Sequence, residues 1–255
     1  MPANQNITNL IDRVNEFKNT SFDDEMSRRL NLDSSSLIDS SNLLEHLSYL
    51  IAYSQQAKSS SVQAVIKDGA LRKALQNFET AKVAQLNPCD VVEEHWAEIK
   101  GIRQQTKIFQ IVMLARKLNS DNSIAKLLLE SQIPKELHTS DDLEIFWKEF
   151  RALKKKLKSS QIPFFRETTS LLHLLVTFSY DCAKPDSAVM TAAKSIKIVS
   201  SMTGERNLVN VVKSIQQYSI DTNRKLPPHV LDLYFLVCGG QSGAIKYVDK
   251  EYYRI

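Results

Sequence analysis

The chain has 255 residues, of which 43% are apolar and 24% charged, and carries a net charge of +4 at pH 7. That length suits one large domain or two smaller lobes with enough chain to bury a core. No stretch reaches the roughly 18 apolar residues a membrane-spanning helix needs, and the first residues lack an apolar export segment, so neither membrane spanning nor export is expected.

Six glycines and seven prolines are few for this length, which fits long helices joined by short turns rather than a sheet with many hairpins. Cys89, Cys182 and Cys238 are far apart, and the five histidines show no HExxH spacing. No metal or iron–sulfur cluster is therefore expected, and the thiols read as reduced cytosolic cysteines. A P-loop, a GxGxxG turn and a GxSxG elbow are all missing, which leaves nucleotide hydrolysis and serine-hydrolase chemistry without support.

In chain order, a helix is expected around Ile7–Phe17, followed by a serine-rich link at Ser34-Ser35-Ser36. Asp39-Ser40-Ser41 offers caps for Leu43–Tyr53, and a helical pattern resumes over Val62–Phe78. Pro88 opens Cys89–Ile99. Gly101 separates that helix from Ile102–Leu118, which turns Ile108, Ile111, Val112, Leu114 and Ala115 inward and Lys107, Arg116 and Lys117 outward. Thr139-Ser140-Asp141-Asp142 starts Leu143–Leu157, with acids at its start and lysines at its end as the helix dipole favours. Lys154, Lys155, Lys156 and Lys158 form one basic run, read as a solvated face or a nucleic-acid contact.

A break from Ser159 to Pro163 leads into an apolar helix that runs to a Lys184-Pro185-Asp186 step. Helices follow over Pro185–Val199, from Thr203 to Tyr218, and over Val230–Val237, the last of them stopped by Gly239-Gly240. The tail from Ile245 to Ile255 reads as the one extended piece. The expectation is an all-α chain of about ten helices without a fixed repeat.

Four stretches, in order, resemble the helix-hairpin-helix superfamily of base-excision DNA glycosylases. They are LIAYSQQAKSSSV (Leu50–Val62), IKGIRQQTKIFQIVMLARKL (Ile99–Leu118), the segment Ile162–Val189, and LPPHVLDLYFLVCGG (Leu226–Gly240). The last is similar to a late helix of the archaeal 8-oxoguanine branch. The resemblance implies two helical lobes around a helix-hairpin-helix element. A helix and polar link would occupy 1–40, and a helical domain 41–245, with one lobe mainly from 41–160 and the other from 161–245 plus the N-terminus. Residues 246–255 would form a tail.

It also implies a monofunctional DNA N-glycosylase, acting without a cofactor as a monomer on duplex DNA that carries a damaged base; the alternatives are a glycosylase-like DNA-binding protein without catalysis and a helical protein-interaction module. The location would be cytoplasmic and nucleoid-associated, or nuclear in a eukaryote. Asp186 matches the family aspartate, and an Asp beside Pro at a helix start is equally an N-cap. As catalyst it would stabilise an oxocarbenium-like sugar and orient the attacking water. Trp96, Asp232, Gln55 and Gln56 match the pocket for an extruded base. Phe164, Phe165 and Arg166 fill the hairpin, which in the family is rich in glycine. Thr168, followed by Thr169, stands where bifunctional members hold a lysine, so lyase chemistry by that route is not expected. Lys184, Ser187, Lys194, Lys154, Lys156 and Lys158 are candidate DNA contacts, while His173 and His229 read as packing or surface residues.

Overall fold

A computed structural model describes residues 2–31, 42–118, 123–240 and 243–253. Among these residues the chain forms fourteen α-helices and no strand. In chain order they are α1 (Pro2–Phe17), α2 (Thr20–Leu30), α3 (Leu43–Ala52), α4 (Ser59–Lys67), α5 (Ala70–Ala74), α6 (Thr80–Gln85), α7 (Pro88–Ile99) and α8 (Thr106–Leu118). They continue with α9 (Ile124–Leu129), α10 (Ser140–Ser159), α11 (Thr168–Thr177), α12 (Ser187–Ser195), α13 (Glu205–Asp221) and α14 (Pro228–Cys238). Among the described residues no helix is long and apolar enough to cross a membrane.

The chain divides into two compact units, one of Met1–Ser34, Gln132–Arg151 and Glu167–Ile255, the other of Ser35–Ser131 and Ala152–Arg166. The first is built around α14, which buries Val230, Leu231, Leu233, Tyr234, Phe235 and Val237. A helix apolar on all sides must be covered on all sides, and α1, α2, α12 and α13 do so. On α1 the covering residues are Ile7, Leu10, Ile11 and Val14, spaced three and four apart as one helical face. Gly239, at the end of α14, permits the closest approach: a Cβ there would lie 2.1 Å from the carbonyl oxygen of Ala188 on α12.

The second unit is organised on α8, whose Ile108, Ile111, Val112, Leu114 and Ala115 are buried against α3, α6 and α7. Lys107 does not point outward as its charge suggests. It is fully buried, and its amine donates to the carbonyls of Ala52 and Ser54, each at 2.8 Å, at the C-terminal end of α3. Those carbonyls belong to a helix end that has no donors of its own to offer. Burial, with Arg103 as the smaller cause, lowers the Lys107 pKa to about 8.

Several helix boundaries differ from the sequence expectation for one shared reason. α10, α11, α12 and α13 stop at Gln161, Ser179, Lys197 and Asn223, which take left-handed φ of 55°, 60°, 62° and 52°. In each case the next residue donates back five positions: Ile162 to Leu157, Tyr180 to Leu175, Ile198 to Ala193 and Arg224 to Ser219. This is the Schellman stop, usually marked by glycine, and here it is made without one. The apolar helix expected to reach Lys184 therefore ends at Thr177, and the helix expected to reach Val199 ends at Ser195.

Other departures are local. The pattern over Val62–Phe78 is broken at Gly69 (φ 72°) and again at Gln76-Asn77-Phe78, and the turn at Arg103 (φ 78°) delays α8 until Thr106. α2, α6 and α9 fall outside the expected elements, which accounts for most of the excess over ten helices. The tail is not an extended piece: 3-10 turns occupy Ile245–Tyr247 and Lys250–Tyr253, and Val248 between them pairs with Lys18. The links at Ser34-Ser35-Ser36 and Asp39-Ser40-Ser41 lie outside the described residues.

Two outcomes follow. Gly239→Ala must push α14 away from α12, so its thermal midpoint should fall by about 2–10 °C in a calorimetric scan, the effect of overpacking by about 1–3 kcal/mol. Lys107 binds a proton less tightly folded than unfolded, so the charged form is penalised below about pH 8 and that penalty is lifted as pH rises towards the ordinary lysine value. Urea midpoints of the wild type should therefore rise relative to Lys107→Met between about pH 7.5 and about pH 10.

Candidate functional site

The segment Phe178–Asp186 between α11 and α12 is irregular yet buried, with Asp181, Cys182 and Ala183 almost wholly removed from solvent. A buried loop must find partners for its backbone; some here are local, such as the Tyr180 carbonyl that accepts the Cys182 N–H at 2.7 Å, and others come from distant helices and loops. The Asp181 N–H donates to the Lys135 carbonyl at 2.8 Å, and Gln216 Nε2 donates to the Asp181 carbonyl at 2.7 Å. Gln216, itself buried on α13, accepts the Trp147 indole N–H at 2.8 Å. The Asp181 carboxylate accepts the Leu137 N–H at 2.8 Å and pairs with the Arg224 guanidinium. His229 Nδ1 stands 3.7 Å from the same carboxylate and has no hydrogen-bond partner among the described residues.

A second buried acid holds the other end of the loop. Asp232 of α14 accepts the Lys184 N–H at 2.8 Å through Oδ1 and the Arg29 guanidinium at 3.0 Å through Oδ2. Arg29 also donates to Glu25 at 3.0 Å and to the His229 carbonyl at 2.8 Å. Burial raises the Asp232 carboxyl above the ordinary range and the Asp186 charge adds to this, against the pull of Arg29. Burial between these acids also pushes the Cys182 thiol well up, so it remains protonated and unreactive.

Asp186 follows directly. Its Oδ1 accepts the N–H groups of Ala188 at 3.0 Å and Val189 at 3.2 Å, capping α12. Its Oδ2 lies 3.5 Å from the Lys184 ammonium, and the side chain is 27% exposed. The cap role expected from Lys-Pro-Asp is thus present, with one oxygen on the helix N-terminus and the other beside Lys184. Lys184 touches both acids, Asp232 through its backbone N–H and Asp186 through its side chain.

Asp186, Lys184 and Asp232 are brought together in the first unit, with Ser187 exposed on the first turn of α12. Asp232 is neither a solvent-facing helix residue nor a free carboxylate; it ties α2 and the loop to α14. Thr168 is buried and donates its hydroxyl to Glu205 at 2.6 Å, while Thr169 is half-buried. Lys194 is exposed.

The other named residues belong to the second unit. Gln55 and Gln56 form an exposed turn with φ of 53° and 59°, and Arg103 clamps it by donating to the Gln56 carbonyl at 2.7 Å. Trp96 is half-buried on α7. In the turn between α10 and α11, Phe165 is buried, Arg166 is exposed, and Phe164 adopts a left-handed φ of 62°.

No protein-family model, curated protein or solved structure matches the chain. The site therefore has to be read from its own chemistry.

Sequence reasoning passed over Asp181, Gln216, Arg224 and Arg29. A signal existed for Gln216, which shares the buried stripe of Val212, Ile215 and Ser219 on α13. A polar residue on a buried face asks for a partner.

Removing one member of the buried pair should cost more than removing both. Asp232→Ala leaves the buried Arg29 with Glu25 as its one remaining acid and the Lys184 N–H without its acceptor, so urea unfolding should show a loss of about 3 kcal/mol. The double variant Arg29→Met/Asp232→Leu should recover a substantial part of that loss.

Proposed function

We propose that the chain is a DNA-binding protein of the helix-hairpin-helix glycosylase type, which excises a damaged base with Asp186 as its catalytic acid. The observation that carries this reading is the division of the Asp186 carboxylate. Oδ1 is fixed by two backbone N–H groups of α12, while Oδ2 lies 3.5 Å from the Lys184 ammonium and the side chain is partly exposed. A carboxylate fixed by its own helix needs little reorganisation when positive charge develops on a sugar opposite it. Water would attack the anomeric carbon as the base departs, with Oδ2 orienting that water and taking its proton.

The surrounding order of elements supports the same reading: helix α10, a tight turn, helix α11, then a linker to an acid at the start of α12. The turn holds no glycine, yet Gln161 and Phe164 take the left-handed backbone that glycine would supply. Thr168 offers no amine and its hydroxyl is bound to Glu205, which favours water as nucleophile and argues against lyase chemistry by that route. The partner would be duplex DNA holding a base that can leave the stack, and the reaction needs no cofactor.

One observation favours a second reading, a DNA-binding protein without catalysis. Oδ2 of Asp186 already faces the Lys184 ammonium, and Asp232 is committed to Arg29. Asp186→Asn separates the possibilities, because Asn caps helices about as well as Asp. The variant should unfold at the wild-type urea concentration and bind duplex normally. Its excision, read as alkali-labile breaks in labelled duplexes with single oxidised, alkylated or deaminated bases, should fall by about 10²-fold or more. Duplex binding by a wild type that makes no breaks on any of these substrates would point to the second reading.

A further inference from the structure

On the far side of α10 from its buried residues, the chain presents a basic surface that Asp186 chemistry does not use. Phe146, Phe150, Leu153 and Leu157 are buried, whereas Lys148, Arg151, Lys155 and Lys158 are exposed. Their spacing of three, four and three residues lines these cations along one face of the helix. The acids of α10 are Asp141, Asp142, Glu144 and Glu149. Asp142 is engaged by the N–H groups of His138 and Thr139, and Glu149 lies off the row, within 3.8 Å of Lys148.

At the Lys148 end the row opens into a cleft of about 470 Å³ lined by Glu144, Ile145, Trp147, Lys148, Arg151 and Lys213. Its floor is rigid, since Trp147 is buried and its indole N–H is held by Gln216. Lys213 of α13 stands over the ring, 5.7 Å from its centroid. One and two turns before it, the same face of α13 shows Asn210 and Arg206, both exposed and neither acidic.

We propose that this cleft, with Lys148, Arg151 and Lys213 in its wall, holds the sugar–phosphate backbone of a nucleic-acid strand. One strand of a duplex places a phosphate about every 3.4 Å along its axis, and Lys148 and Arg151 are separated by about 4.5 Å along the helix, about one such step. An acidic peptide fits less well, because such partners anchor through apolar side chains, and Ile145 is the only exposed apolar residue lining the cleft. The inference deepens the DNA-binding half of the proposed function and does not depend on excision.

The test is the salt dependence of binding to an undamaged labelled duplex, followed by anisotropy with the full chain. Lys148→Ser/Arg151→Ser/Lys213→Ser should weaken binding at all sequences and reduce the slope of log K against log salt by about 3, at about 0.9 for each phosphate left without its cation. Lys67→Ser, an exposed lysine away from this cleft in sequence, should leave the slope unchanged. Circular dichroism should show the triple variant folded, and Lys148→Arg/Lys213→Arg should keep the wild-type slope if charge is what matters. An unchanged slope in the triple variant, no duplex binding by the wild type, or preferential binding of polyglutamate would each overturn the proposal. A reduced slope in a protein that excises nothing would uphold this surface while removing the excision reading, and excision with an unchanged slope would do the reverse.

Discussion

Asp232 is an acid placed in the one helix that is otherwise apolar on every side. An ionised group there has lost its water and must be compensated by charge and hydrogen bonds. Arg29 supplies the charge from α2, and the backbone of Lys184 supplies a hydrogen bond from the loop before α12. Three segments far apart in sequence are thereby committed to one another. The close approach of Gly239 to Ala188 then sets α12 against α14. Together these two constraints fix where α12 begins, and so where Asp186 is held.

The two buried acids share the work of holding a loop that would otherwise be unable to lie inside the protein. Asp181 anchors its middle through Arg224 and Leu137, while Asp232 anchors its end. Between them the backbone of the loop is answered by Gln216 and Lys135. The loop is thus specified by polar partners inside an apolar unit, an arrangement that tolerates few alternatives because each unpaired group would be costly. The proposed role of Asp186 draws on this rigidity, since a carboxylate at the end of a mobile loop would have to be ordered anew at each encounter.

What could be read from the residues was mainly local. The Asp186 cap follows from Lys-Pro-Asp. The start of α10 follows from Thr139 and Asp142, whose side chains exchange bonds with each other's backbone N–H groups. The inward face of α8 follows from its spacing, except that Lys107 shares that face, four residues before Ile111 and seven before Leu114, and its charge concealed this. The Arg29–Asp232 pair and the Asp181 network were not legible, because each joins residues that only the folded unit brings within reach. Resemblance suggested a pocket including both Asp232 and Trp96. Asp232 lies in a buried ion pair of one unit, and Trp96 is half-buried on α7 of the other.

The glycine-free stops of α10 to α13 bear on what decides the length of these helices. Gln161, Ser179 and Lys197 carry no local instruction to reverse the backbone, and each left-handed residue costs about 1 kcal/mol or more relative to continuing the helix. What opposes that cost is the docking of the following residue, as with Ile162, which is fully buried. Helix length in this protein is accordingly settled by tertiary contact.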